Sequence, residues 1–311
     1  MLTLLLAVGV CAAVGAALLR MVGTGASRWA FAALSFTPYA LAGAGVLVLV
    51  GLATRRWGSS LAAALAVVVL GVGVLPRALA DTQPSATGPA LTVASSNLYF
   101  GQADAGAVVE LVRSHKVDVL SLQELTPQAV AALDAAGLWR LLPYRVLRPE
   151  PRAAGSGLAS RYPLRERAST RSSSYHWQPA AAVELPGAAE TEVVAVHAVA
   201  PVGRIPPATW RAELGGPAPR PGPATRLLVG DFNATLDHQP LRALLSTGYR
   251  DAADVLGRGL RATWPTDTAL APVAAIDHVF VEQTCLVRSF ETLPVPGADH
   301  RAVVAEIVLT G

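Results

Sequence analysis

Cysteine and lysine are nearly absent from this chain, and acidic residues are missing from its first eighty positions. Cys11 and Cys285 are its two cysteines. They exclude a disulfide scaffold and a cysteine-ligated zinc module. No HExxH stands in the sequence, which removes the helical zinc-hydrolase signature. Lys116 is the one lysine among 25 Lys and Arg residues, a bias to which no function attaches. Residues 1–80 hold five arginines and no Asp or Glu, hence +5. The other 20 basic and 22 acidic residues leave −2 on residues 81–311. The whole-chain charge of +3 is therefore no argument for nucleic-acid binding.

Charge is also missing from three long runs. Residues 2–19 form an uncharged stretch of 18, the gap between Arg28 and Arg55 spans 26, and that between Arg56 and Arg77 spans 20. A helix needs roughly 20 apolar residues to cross a membrane core. The glycines and alanines of these runs suit close helix packing in lipid, and Trp29 and Trp57 stand beside the basic turns, where amphipathic aromatics favour the headgroup layer. A cleaved signal peptide is the rival for the first run, but no basic segment precedes it. We expect three N-terminal transmembrane helices, at about 2–19, 29–53 and 58–76, in a domain of residues 1–80. Charge counting sets Arg55, Arg56 and the amino terminus against Arg20, Arg28 and Arg77. It leaves the orientation open.

Residues 81–90, which include DTQPSATGP, read as a linker to a domain of residues 91–311. Short apolar runs then alternate with helical patterns. Strands are expected near 91–95, 117–122, 157–160, 180–185, 192–197, 226–229, 276–281 and 302–309. An amphipathic helix is expected over 105–115, and another after Thr126 with Pro127 in its first turn. Mixed strands and helices, many apolar on both faces, indicate an α/β sandwich. Residues 201–223 hold seven of the 23 prolines and read as a long irregular loop. Its Arg204, Arg211 and Arg220 read first as a solvated surface and second as a headgroup contact.

The informative polar residues stand at the ends of the apolar runs. Asn97 ends LTVASSN, Glu124 ends VDVLSLQE, His197 ends VVAVH, and Asp231 and Asn233 lie in GDFN. Asp277 sits in IDHVF, and Asp299 and His300 precede AVVAEIVL. Loops at one edge of a layered sheet gather such groups into a site. Gathered carboxylates repel one another and lose solvation, and a divalent cation relieves both. Hard oxygen donors favour Mg²⁺ or Mn²⁺ over Zn²⁺. Asp231 and Asn233 stand at i and i+2 and face one way, and a buried Asp277 needs a partner.

This ordered set resembles the endonuclease/exonuclease/phosphatase superfamily of DNase I-like proteins. The resemblance rests on SSNL at Asn97, LQE at Glu124, GLASRYPL at 157–164, VAVHAVAP at His197, GDFNAT at 230–235, IDHVF at 276–280 and ADHRAVVAEI at 298–307. Ala298 replaces the usual serine before the last Asp-His pair. The resemblance implies a four-layer α/β (α+β) sandwich, two β-sheets flanked by helices. It implies metal-assisted attack of water on a phosphoester, with Glu124 holding Mg²⁺ or Mn²⁺, helped by Asn97 and Asp299. Asn233 would donate to a phosphate oxygen, and Asp277 would fix the tautomer of His300 beside the scissile phosphate. Either His300 or Asp231 would take the proton from water, and His197 would serve as a second imidazole. His115, His176 and His238 receive no role, and His278 reads as a neighbour without direct chemistry.

With the uncharged runs, the RR turn and ATWP at 262–265, the resemblance narrows to a membrane-bound actinobacterial branch linked to teicoplanin resistance. That branch implies a multi-pass protein of the cell membrane with an extracytoplasmic catalytic domain. Its implied partners are the lipid bilayer and a lipid-linked phosphate such as undecaprenyl pyrophosphate. A membrane-tethered nuclease acting on nucleic acid is the first alternative, and a catalytically inactive binding module is the second.

Overall fold

The first helix, α1 (Leu2–Val22), carries no acidic residue and one terminal base, Arg20. It packs with α3 (Thr37–Ala53) and α4 (Trp57–Val74) through a core of small side chains, Ala13, Ala17, Ala44 and Ala66, around Leu70. Outward stand large apolar residues such as Leu4, Leu49, Leu65 and Val72, the reverse of a water-facing helix surface. The computed structural model describes residues 1–23, 27–167, 170–172, 175–201, 205–214, 225–268 and 271–310.

Among the described residues two helices are long and apolar enough to cross a membrane, Leu2–Val22 and Trp57–Ala78. The expected span at 29–53 is instead broken into α2 (Arg28–Ser35) and α3, bent by 68°. It makes a third span only if the bent pair counts as one. Pro38 in the first turn of α3 is the physical reason. A proline has no N–H to continue the ladder and disfavours helical geometry in the residue before it. Thr37 satisfies part of the break, its hydroxyl donating to the Leu34 carbonyl at 2.7 Å.

Among the described residues, two six-stranded sheets follow. In the first, β1 (Ala90–Asn97) runs parallel to β2 (Val119–Gln123) and antiparallel to β14 (Arg301–Val308). This sheet continues through β4 (Ser156–Ser160) to β3 (Tyr144–Arg148) on one side and to β13 (Leu286–Pro294) on the other. In the second, β10 (Thr225–Asp231) runs parallel to β9 (Thr191–His197) and antiparallel to β12 (Asp277–Glu282). Beyond these lie β8 (Ala180–Val183), β5 (Leu164–Glu166) and β11 (Tyr249–Asp251). A two-stranded ribbon pairs β6 (Thr170–Ser172) with β7 (His176–Gln178).

Side-chain alternation along each strand makes the layers. Val93 and Val119 of the first sheet meet Val193 and Val229 of the second in one core. Their neighbours Ala94 and Leu120 face outward, under α5 (Ala105–Ser114), α6 (Pro127–Ala135) and the short α7 (Leu138–Leu141). On the far side, Val194 and Leu228 pack against α8 (Pro207–Leu214) and α9 (Gln239–Leu245). This is the expected sandwich with helices outside both sheets. Thr126 caps α6 as read from sequence, accepting from the Ala129 N–H, and Asp104 caps α5, accepting from the Ala107 N–H.

Within the segment 201–223, the described residues 205–214 are less irregular than its prolines suggest. Pro207 opens α8, where its missing N–H costs nothing, and Trp210 of that helix is fully buried. Arg211 lies on α8, whereas Arg204 and Arg220 lie outside the described residues.

Candidate active site

Strand register gathers the polar residues. Asn97 ends β1 opposite Gln123, so Glu124 follows beside it. In the other sheet, Asp231 pairs with His197 on one side and Asp277 on the other. The two edges touch through the Asn97 amide, whose Nδ2 donates to Asp231 Oδ2 at 3.2 Å and to Glu124 Oε1 at 3.3 Å.

Four non-glycine residues here adopt left-handed backbone: Tyr99 (φ 47°), Phe100 (φ 54°), Glu124 (φ 55°) and Asn233 (φ 46°). Each costs of the order of 1–3 kcal/mol and persists only where its surroundings hold it. The geometry aims backbone N–H groups at side-chain oxygens. Phe100 N–H donates to Glu124 Oε2 at 2.7 Å, Tyr99 N–H to Asn97 Oδ1 at 2.9 Å, and Asn233 N–H to Asp231 Oδ1 at 2.8 Å.

His300 donates from Nδ1 to Asp277 Oδ2 at 2.9 Å. Its Nε2 lies 3.9 Å from both Asp231 Oδ2 and Asp299 Oδ1. Burial opposes charge on this ring, but the carboxylates of Asp277, Asp231 and Asp299 outweigh it and raise the pKa to about 10. Burial pushes Asp231 up to about 7, against the pull of His300 and with the push of Asp277. At neutral pH the pair is thus an imidazolium beside a carboxyl poised to exchange a proton.

Glu124 and Asp299 both have raised pKa values, first because burial strips them of water, and Asp299 adds to the rise at Glu124. Asp299 Oδ2 accepts from the Trp264 indole at 3.3 Å, while its Oδ1 is buried with no hydrogen-bond partner. Two desolvated carboxylates with one orphaned oxygen are a donor set that a hard divalent cation satisfies. Asp231, Asp277 and His300 form a tighter cluster, with ligand atoms within 4.8 Å. There, however, a protonated His300 bonded to Asp277 offers a cation no lone pair. Glu124 and Asp299 therefore fit a metal better. Asn97 turns its NH₂ rather than its carbonyl toward the carboxylates, and so aligns Glu124 and Asp231.

Asn233 is likewise engaged, its Nδ2 donating to Ala198 O at 2.9 Å and to Asp231 Oδ2 at 3.3 Å. It orients Asp231 instead of presenting a free N–H to a phosphate. His197 stands with Nε2 3.9 Å from Asp231 Oδ2, and its pKa is held well below the usual range, chiefly by burial.

The profile of the Endonuclease/Exonuclease/phosphatase family matches residues 94–300. The chain belongs to that family. Among solved structures it is similar to an endonuclease/exonuclease/phosphatase from Beutenbergia cavernae, at 17% identity over 71% of this chain and 72% of that one, with TM-score 0.52. A family protein from Bacteroides thetaiotaomicron matches at 16% identity over 72% and 100%, with TM-score 0.53. D. rerio TDP2, complexed with a single-strand DNA product, matches at 15% identity over 70% and 98%, with TM-score 0.54. At such identities the likeness shows the fold. No curated protein matches the sequence. The family is hydrolytic, and phosphoester hydrolysis in general follows for this member.

The family member's cleft has a volume of about 410 Å³. Glu124, His197, Asp231, Asn233, Asp299 and His300 line it, while Asn97 and Asp277 stand behind them. Two histidines given no role from sequence belong here as well. His176, from β7, lines the cleft and stacks on His197 with ring centroids 3.9 Å apart. Burial lowers its pKa to about 4. His238 is buried under the GDFN loop. Neither carried a local signal, since sheet pairing and loop closure bring them in. His278 points away, donating from Nδ1 to Asp251 at 2.6 Å and from Nε2 to Ala234 O at 2.9 Å. Its two acceptors hold it protonated against the opposing effect of burial.

Proposed function

We propose that this chain is a membrane-anchored, divalent-metal-dependent phosphoester hydrolase acting on a lipid-linked phosphate or diphosphate. One observation carries the lipid assignment. The loop bearing Asp231 and Asn233 ends in Asp237, which is bonded to Arg20 at the end of α1 and to Arg77 just after α4. The apolar bundle and the catalytic loop are thus one fastened unit, as a substrate confined to a bilayer requires.

In this reading Glu124 and Asp299 hold Mg²⁺ or Mn²⁺. The bound cation supplies neutralisation of phosphoryl charge. Asp231, fixed by the Asn233 N–H and the Asn97 amide, accepts the proton of the attacking water. His300, kept charged by Asp277, donates from Nε2 to a phosphoryl oxygen. His197, uncharged and on the same Asp231 oxygen as His300, lines the cleft and serves the leaving group. The catalytic face is extracytoplasmic, as the membrane-bound branch of the resemblance implies.

A tethered nuclease is the second reading, supported by the likeness to the TDP2 structure that holds a DNA product. The test is hydrolysis by the purified chain with Mg²⁺ or Mn²⁺, read as phosphate release from undecaprenyl pyrophosphate, headgroup release from a phospholipid and strand cleavage of DNA. We expect turnover of the polyprenyl substrate. Cleavage of DNA alone would establish the nuclease, and metal binding without turnover of any substrate would leave a binding module.

A further inference from the structure

The cleft has a wall that the catalytic fold does not supply. Phe31 and Ser35 of α2 line it together with the acid and base groups. Helix α2 is pinned there at three points. The Phe31 ring meets Trp210 edge-on at 5.0 Å and lies tilted on His238 at 4.7 Å, and the Phe31 carbonyl accepts from His238 Nε2 at 3.0 Å. Trp29 on the same helix is 73% exposed, with the Arg28 guanidinium over its ring at 5.1 Å. Phe36 and Tyr39, at the bend into α3, are exposed as well. A short helix with aromatic and basic groups outward has the composition of an interfacial segment.

The lining of the cleft is chemically mixed. Its polar groups stand among the strand ends, and Phe100, Val199, Ile205, Trp264 and Ile276 join Phe31 in making most of the remaining lining apolar. A bare phosphate or a nucleotide backbone has no use for such walls. An apolar group joined directly to the reacting phosphate does.

We propose that α2 is the specificity element of this site: Phe31 and Ser35 form the wall along which the hydrocarbon chain of a lipid phosphate leaves the cleft toward the apolar bundle. This rests on the hydrolase reading above and adds which residues select the substrate and by what group. The 68° break between α2 and α3 acquires a purpose here. It turns one segment of the bundle out of line and brings Phe31 and Ser35 into the lining of the cleft.

The experiment measures binding and turnover separately. Methyl-, butyl- and octylphosphonate, whose C–P bond resists hydrolysis, are titrated calorimetrically into the full chain in lipid nanodiscs with Mg²⁺. Each methylene buried against the wall is worth about fourfold in affinity. The wild type should therefore favour octyl over methyl by at least about tenfold. Phe31→Ala should reduce that ratio to below about threefold by removing the wall. Ser35→Trp should do so by obstructing it, and it leaves the contacts of Phe31 with Trp210 and His238 in place should the first variant undock α2. Equal affinity for the three phosphonates in the wild type would overturn the proposal, as would an unchanged ratio in both variants. Chain-length selectivity without turnover of any lipid phosphate would sink the hydrolase reading and leave this one standing.

Discussion

Arg77 grips both oxygens of Asp237, Nη1 on Oδ2 at 2.9 Å and Nη2 on Oδ1 at 2.8 Å, across 160 positions of sequence. Arg20 adds a third bond to Oδ1 at 2.8 Å, and Arg242 reaches back to the Arg20 carbonyl at 3.0 Å. Asp237 is fully buried. Removing one partner of such a group leaves uncompensated charge and typically costs about 3–5 kcal/mol. Asp237→Ala should lower the thermal midpoint of the detergent-solubilised protein by many degrees and depress hydrolysis with it. An unaltered midpoint would mean that the bundle and the catalytic domain are not fastened here.

Asp277 touches His300 and stands behind the cleft. Asp277→Asn keeps the shape but removes the charge that keeps His300 protonated. Turnover should fall by about 10²–10⁴-fold with little change in KM, the usual range for a proton-transfer group. His300→Ala should fall as far, and the double variant no further, because the two act as one unit. Additive losses in steady-state kinetics would show that they do not.

Much of this arrangement was readable from residues. Short apolar runs, buried on both faces, marked the central strands, and their polar ends marked the site, because buried strands leave few other places for Asn97, Glu124 or Asp231. The exceptions share a cause. The edge strand β13 mixes exposed and part-buried positions with two buried ones and so lacks an apolar run. The break before Thr37 was visible as Pro38, yet uninterrupted hydropathy concealed it. His176 comes from a three-residue strand and reaches the cleft through the ribbon with β6 and the stack on His197, which no local pattern encodes.

Metal dependence has a structural readout besides activity. Asp299 Oδ1 is buried without a partner, and Glu124 and Asp299 share a desolvated site. A cation that binds only the folded chain stabilises it by mass action, about 2.7 kcal/mol at one hundred times its Kd. Mg²⁺ or Mn²⁺ should raise the thermal midpoint of the wild type, and chelation should abolish hydrolysis. Glu124→Gln and Asp299→Asn should each blunt the metal-induced rise. The same rise in both variants would place the cation elsewhere.

His238 sets an acid limit on stability. The Thr235 N–H donates to its Nδ1 at 2.9 Å, so the proton sits on Nε2, which donates to the Phe31 carbonyl at 3.0 Å. Charging the ring would put a second proton against the Thr235 N–H. Burial is the larger effect, and the pKa falls to about 4, from about 6.5 in an unfolded chain. Between those values the unfolded chain binds a proton that the folded one refuses. Stability is therefore full above about pH 6.5 and is lost as pH falls toward 4, by about 3 kcal/mol. In denaturant titrations at several pH values, His238→Gln, which can keep one donor and one acceptor, should lower the slope across this window. His176, also shifted to about 4, should leave a residual slope. A variant as pH-sensitive as the wild type would show that the link between α2 and the catalytic loop does not titrate.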